Sequence, residues 1–539
     1  MSSALSNKAL SDPSVGEKTL PVKEAAGEKS TYGQILKSSA LIGGSAVVNI
    51  GIRMVRTKAM ALLLGPSGFG LLSMYGSIVD VAHSVAGMGI NSSGVRQIAV
   101  AVGSGETEPI ARTVTVLRRT SIFLGIVGAV LLAVFSRQVS TLTFGSDQYA
   151  VAVALLSFAV FFRLVSGAQA ALIQGMRRIS DLAWMEVLSE FFGLLLVIPV
   201  VYFLREKGVA PALVGIAAMT FATSWWYSRK IKMQSPAMTV FQLKQEVGPL
   251  LKLGFAFMAS GFMAMGAAYA VRTLVLRFYG FEAAGFYQSA WALGGLYVGI
   301  ILQAMGADFY PRLTGVNRDN TLCNRLVNEQ AQISLLLAGP GLIATLTFAP
   351  VVIAVFYSAK FEPAIEVLRW ICLGMTLRVI TWPMGFIILA KGEQNFFLGA
   401  ELAWTVVNVG LSWICLKSFG LNGAGIAFFG SYVFHGFMIY PIVRHLSGFR
   451  WSAANRKTGL LYLALIAVVF CGFYWLPFLW ATGVGAAILI LSGVYSLRVL
   501  LKLVPHDHIP RPIRRVLAVF GFACTESRSK STDRGNQDA

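Results

Sequence analysis

Charge is scarce in this chain. Only 13% of its 539 residues are Asp, Glu, Lys or Arg, whereas 56% are hydrophobic. Soluble domains carry roughly 25% charged residues, so a set of water-soluble domains is excluded. Acid is scarcer than base, with 25 Asp and Glu against 45 Lys and Arg. Cysteine is rare as well: Cys323, Cys372, Cys415, Cys471 and Cys524 stand singly, with no CxxC motif. That spacing supports neither a disulfide framework nor a zinc site. Long polar stretches between apolar runs are missing, which leaves no room for a soluble catalytic domain between them. The first 36 residues lack an apolar run, so they read as an unstructured cytosolic tail and not as a cleaved signal peptide.

What the chain has instead is apolar length. About fourteen runs reach the ~20 residues needed to cross a bilayer core, which predicts an all-α polytopic membrane protein. The first runs from about Ser38 to Leu64, the seventh from Pro249 to Phe278, and the last two lie between Gly459 and Ser496. The net charge of +20 follows from topology. With the N-terminus in the cytosol, Arg112, Arg118, Arg119, Arg177, Arg178, Arg229, Lys230, Lys232, Arg450, Arg456, Lys457 and the basic tail are cytosolic. Only Arg137, Arg205, Lys207, Lys360 and Lys417 are then external. This is the positive-inside pattern, and it removes the reason to invoke nucleic acid. Both termini and the linker near Lys230 are therefore expected in the cytosol.

The chain is internally repeated. VRTKAMALLLGPSGFG, Val55 to Gly70, returns as VRTLVLRFYGFEAAG, Val271 to Gly285, with one gap between the Arg and the first aligned Gly. Arg56, Gly65 and Gly70 thus correspond to Arg272, Gly280 and Gly285. GINSSGVR, Gly89 to Arg96, and GADFYPR, Gly306 to Arg312, extend the match, and Arg163 and Arg378 fall in the fourth apolar run of each half. Both halves start from the cytosol, so the repeat is parallel, its pseudo-two-fold axis runs along the membrane normal, and a pathway lies between the halves. The expected organisation is a tail over residues 1–37, a six-helix bundle over 38–227, a linker over 228–248, a second six-helix bundle over 249–444, two additional helices over 459–502, and a tail over 503–539. In that last tail, Arg514 and Arg515 open an interfacial amphipathic segment.

Polar residues inside the apolar runs are the candidate site. Ser45, Asn49, Arg53 and Arg56 fall within about 80° of one another on one helical face. A buried Arg costs at least ~2.5–3.5 kcal/mol on insertion scales, so it normally faces a bundle interior or a wet cavity. Arg163, Arg272 and Arg378 add cations from other runs, and with Arg53 and Arg56 they line one cavity if the first and fourth helices of each half meet at the pseudo-axis. The bland alternative is that each is an interhelical clamp. Its partners would be Asp80, Glu186, Glu190 and Glu401, most of them near the cytosolic ends, which leaves surplus positive charge. Lys58, Arg277 and Arg369 sit near the external boundary, where Lys58 can snorkel. His83 and His435 read as satisfied within the bundle, and His506 and His508 as a solvated turn. Pro199, Pro340 and Pro383 allow kinks, with Trp382-Pro383 the favoured functional break.

The strings LLLGPSGFGLLSMY, GFYQSAWALGGLY, FYPRLTG, KFEPAIEVLRWICLG and ILAKGEQNFFLGAE resemble the polysaccharide-flippase branch of the multidrug/oligosaccharidyl-lipid/polysaccharide exporter superfamily. The likeness covers roughly Ser38 to Arg444 and is greatest to O-antigen and lipid III flippases. It implies two six-helix bundles in a V that rock between inward-open and outward-open states in a bacterial inner membrane. It implies an undecaprenyl-diphosphate-linked oligosaccharide as cargo, membrane lipids and other polysaccharide-assembly proteins as partners, and neither enzymatic activity nor a cofactor or metal. The family's cationic residues match as Arg53, Arg56 and Arg272, with Arg378 a weaker correspondence. The last two helices depart from twelve-helix members and are similar to the extra pair of lipid II flippases. A multidrug or cation antiporter of the same fold is the alternative, but it usually needs carboxylates in the first or seventh run, where this chain has arginines. A membrane-embedded polymerase would need sizeable external loops.

Overall fold

The computed structural model describes residues 24–103, 107–231, 240–305 and 309–503. His506, His508, Cys524, Arg514, Arg515 and the rest of 504–539, most of the N-terminal tail, and Ser235 with the centre of the linker lie outside them. So does much of the Gly306 to Arg312 match.

The described residues are helical, in an order that repeats. The first series is α1 (Glu24–Gly87), α2 (Ile90–Gly103), α3 (Thr107–Val134), α4 (Ser136–Phe144), α5 (Ala150–Gly175), α6 (Ile179–Leu204) and α7 (Val209–Ser228). The second is α8 (Val240–Ala304), α9 (Tyr310–Gly315), α10 (Asn320–Thr347), α11 (Ala349–Phe356), α12 (Ala364–Ala390), α13 (Gln394–Phe419) and α14 (Asn422–Ser447). Each series runs long and bent, short, long, short, then three long. Two helices follow, α15 (Ala453–Trp475) and α16 (Phe478–Leu503).

Both α1 and α8 are hairpins. Gly65 (φ 66°, ψ −173°) interrupts α1 and Gly280 (φ 79°, ψ −174°) interrupts α8 in nearly the same conformation. Only glycine adopts that backbone cheaply, since a Cβ there clashes with the following carbonyl. Pro66 follows at the first position of the next limb, where its missing N–H costs nothing. Arg272 and Gln288 would lie about 24 Å apart along a straight helix, yet they are hydrogen-bonded at 2.8 Å, so the chain must reverse between them. Eleven described runs are long and apolar enough to span a membrane. Three of these, 44–87, 179–228 and 261–303, each contain two crossings, which brings the total to fourteen.

Two limits differ from the sequence reading. Helix α1 begins at Glu24, inside the stretch expected to be a tail, and α8 begins at Val240, inside the expected linker. Helices continue past the bilayer wherever Glu, Lys, Gln and Ala dominate, because these residues favour helix without needing burial. Pro199, Pro340 and Pro383 lie inside α6, α10 and α12, which continue through them.

The six-helix series pack mainly within themselves, α3 and α7 against α5 in the first and α10 and α14 against α12 in the second, while α1 and α8 join them. At the turn end, where Gly65 and Gly280 lie, the two hairpins touch backbone to backbone. A Cβ on Gly70 would stand 2.0 Å from the Phe281 carbonyl oxygen, and one on Gly285 would stand 2.1 Å from that of Pro66. The second repeated glycine is therefore a point of close approach, and the contact is reciprocal as a two-fold requires. Phe69, Tyr357 and Phe361 seal the same end with edge-on rings, at centroid distances of 5.3 Å and 5.8 Å from Phe69. Arg277 ties α8 to α4 by donating to the carbonyls of Thr141 (2.6 Å) and Leu142 (2.8 Å).

The last two helices dock on the second series. Asn455 donates from Nδ2 to the Asn328 carbonyl at 2.7 Å, and the Ser452 N–H donates to Asn328 Oδ1 at 2.8 Å. Gly339 admits the Tyr462 ring, whose hydroxyl meets Ser496 Oγ. Arg369, near the start of α12, is buried, paired with Glu366 at 2.6 Å and 3.8 Å from the Phe473 ring centroid of α15.

Candidate substrate site

Where the four limbs of α1 and α8 meet, a cavity of about 250 Å³ lies against α6 and α7. Its polar walls include Arg56, Thr57, Ser73, Ser77, Asp80, Arg272 and Gln288; Met60, Phe69, Leu72, Val197 and Ile216 supply apolar surface. Arg272, half-buried, donates from Nε to Gln288 Oε1 at 2.8 Å and from Nη1 to Ser77 Oγ at 3.0 Å. Among the described residues it makes no ion pair. Ser73 Oγ donates to the same Gln288 oxygen at 3.3 Å, linking the two series. Neutral groups thus hold this guanidinium in place without cancelling its charge, and its remaining N–H groups form a planar fork suited to a bidentate anion.

The other arginines are more nearly balanced than the sequence suggested. Glu190, in the middle of α6, accepts from Arg53 Nε and Arg56 Nη1, each at 2.7 Å. Two guanidiniums share Glu190, and Glu186, one turn earlier on α6, places a second carboxylate near Arg53, so this cluster has two acids for its two cations. Arg53 is 62% exposed and Arg56 21%. Arg163 pairs with Asp80 at 2.6 Å and reaches the cavity only through it. Arg378 lies elsewhere, beside Trp382 (4.8 Å to the ring centroid) and Tyr432 (5.9 Å), with its Nε buried and unpartnered. Asn49 is buried on α1, and its Oδ1 has no partner among the described residues. The expectation that all five arginines line one cavity is therefore corrected to Arg56 and Arg272. The reason is geometric: α6 brings Glu190 against α1, and α12 turns Arg378 into its own bundle. Lys58, expected to snorkel, donates to the Ala354 carbonyl at 2.6 Å and bridges the two series.

Gln288 and Ser73 were not singled out from the sequence, because the repeated strings end at Gly70 and Gly285, three residues short of each. Ser73 stands eight residues after Gly65, and Gln288 eight after Gly280. Equivalent residues of a two-fold repeat meet at its axis, and these two do.

The arrangement defines a class: a helical membrane protein of two six-helix bundles with a cationic cavity at their pseudo-axis and two further helices. Residues 59–366, more than half of the chain, match the family of polysaccharide biosynthesis proteins, and the chain belongs to that family. It is 22% identical over 422 residues to lipid III flippase of Escherichia coli (strain K12), covering 74% of this chain and 95% of that protein, and matches lipid III flippase of Shigella flexneri equally. An inward-facing multidrug resistance MATE family transporter of the MOP superfamily superposes with a TM-score of 0.62 at 16% identity, covering 75% of this chain and 99% of the other. Lipid II flippase MurJ in an inward closed conformation superposes with a TM-score of 0.64 at 13% identity, over 87% of this chain and 99% of that one. Residues 1–447 are less than that share of the chain, so this match extends beyond the two bundles. The MOP exporter fold inferred from the sequence is the one observed.

Proposed function

We propose that the protein is a flippase that moves a polyprenyl-diphosphate-linked oligosaccharide, such as the repeat unit of O-antigen or another surface polysaccharide, from the cytosolic to the external leaflet of a bacterial inner membrane. The observation that carries this reading is Arg272, a half-buried cation held by Gln288 and Ser77 with no carboxylate in contact, in a cavity between the two bundles whose lining carboxylate, Asp80, is paired with Arg163. A diphosphate supplies the missing anion. Arg56, paired with Glu190, lies on the cavity wall with Arg53 beside it, while Arg163, Arg378 and Asn49 act farther from the head group. The positive-inside pattern supports an orientation with both termini in the cytosol and the Gly65 and Gly280 turns outside.

At ~30 Å³ per water, the cavity holds about eight waters and not an oligosaccharide. The sealed turn end therefore corresponds to a state closed to the outside, and loading requires the bundles to separate at the other end. Rocking then breaks the Gly70 and Gly285 contact and releases the head group outward while the prenyl chain stays in lipid.

A cation antiporter of the same fold is disfavoured, because the carboxylate at this cavity, Asp80, is already neutralised by Arg163. The test is mass spectrometry of lipid-linked oligosaccharides in cells carrying wild-type protein or Arg272→Ala. Accumulation of the undecaprenyl-diphosphate-linked repeat on the cytosolic side in the variant is expected. Unchanged export by well-inserted Arg272→Ala protein would overturn the reading.

A further inference from the structure

A second cavity, of about 790 Å³, lies between α3, α5 and α7 at the end of the first bundle opposite Gly65, and shares no residue with the one around Arg272. Arg118, Arg119 and Arg229 border it, the partly exposed Val114, Leu172 and Ile231 give it an apolar floor, and no carboxylate lines it. Among the described residues none of these three arginines has an ion-pair partner. Arg229 is instead held over the Trp225 ring, 4.4 Å from its centroid. Three unneutralised guanidiniums around one cavity repel one another, and their forks match phosphate oxygens.

Their level along the helices narrows the ligand. In α3 the sequence after Arg119 is uninterruptedly apolar from Ile122 to Val134 apart from glycine, and Arg229 follows directly on the apolar α7. The three cations therefore stand where hydrocarbon gives way to head groups, with the apolar floor beside them. Basic pockets between membrane helices at this depth suit anionic lipid heads. We propose that this cavity binds a lipid phosphate: the anionic head sits among Arg118, Arg119 and Arg229, and the chain lies on Val114 and Leu172. The site is separate from the transport cavity and does not depend on the flippase reading.

The test is native mass spectrometry of the full chain in neutral detergent with equimolar phosphatidylglycerol and phosphatidylcholine. Wild type should retain phosphatidylglycerol preferentially, and Arg118→Gln, Arg119→Gln and Arg229→Gln should each lower that preference roughly fivefold. Arg119→Lys should keep most of it, which separates lost charge from lost folding. Competition by undecaprenyl phosphate that removes the bound phosphatidylglycerol supports the site and identifies a prenyl lipid as an occupant; resistance to it supports the site with bulk phospholipid as occupant. Equal retention of phosphatidylglycerol by wild type and the triple Gln variant would overturn the proposal. Displacement by inorganic phosphate at the lipid's own concentration would also overturn it, because the apolar floor would then contribute nothing.

Discussion

At the scale of single residues, the decisive contrast at the cavity is between Arg56, which has an acid in contact, and Arg272, which has none. Glu190 anchors Arg53 and Arg56, whereas Arg272 is positioned by an amide and a hydroxyl. Arg272→Lys should restore export only partly relative to Arg272→Ala, since an ammonium keeps the charge and loses the bidentate fork; transport assays on equally expressed variants check this. Glu190→Gln should behave differently. Leaving Arg56 without its anion should destabilise the protein by about 2 kcal/mol, less than the ~3–5 kcal/mol of a fully buried pair because Arg53 is 62% exposed. A lowered thermal midpoint in detergent is the expected result, and an unchanged midpoint would show that the clamp is not structural. The sequence named Arg56 and Arg272 because a cation in an apolar run is conspicuous. It named Glu190 only as one of four possible partners, because which acid meets α1 is set by packing, and it passed over Gln288, a residue too ordinary to stand out.

At the scale of elements, the repeated strings encode two turns and one seam. Gly65 and Gly280 supply the positive φ that reverses each hairpin, and Gly70 and Gly285 supply the bare backbone on which the hairpins meet. Gly280→Ala should cost about 1–2 kcal/mol through its left-handed backbone, with no close neighbour to clash, and should lower the thermal midpoint while sparing transport in the surviving protein. Gly70→Val acts on the seam instead: its Cβ cannot coexist with the Phe281 carbonyl, so the turn end must part. Ser73→Cys, behind that seal, should then react faster with a membrane-impermeant thiol reagent in a background otherwise free of reactive cysteine. An equal rate with and without Gly70→Val would mean the seam does not gate the cavity. Helix existence and order were legible because apolar runs are long and regular. The limits at Glu24 and Val240 were not, because a polar helical extension and a polar tail have the same composition.

At the scale of the whole molecule, the question is what drives the bundles through their cycle. Moving a head group with about two negative charges outward gains roughly 2.3 kcal/mol per charge per 100 mV of inside-negative potential if it crosses the full field. The arginines remain with the protein during rocking, so they do not cancel this term for the departing cargo. Asp80, a carboxylate suited to proton carriage, is committed to Arg163. Transport in proteoliposomes should therefore respond to a potassium-diffusion potential without a pH or sodium gradient. Dependence on a pH gradient alone would contradict this and redirect attention to Asp80 and Glu401. The orientation has its own check: cysteines at positions 146 and 282 should be labelled from outside intact cells, and one at position 235 should not.

The sequence by itself determined the class, the number of crossings and the two-fold repeat, because each depends on composition or on periodicity along the chain. Hydrocarbon tolerates little besides apolar helices, so a run of twenty apolar residues is nearly a structural statement. Only the tertiary structure decided which charges cancel. A guanidinium's meaning depends on whether a carboxylate from another helix lies within about 3 Å, and that distance is set by how helices cross, not by how far apart two residues stand in the chain. For Arg163 a carboxylate is there; for Arg272 none is.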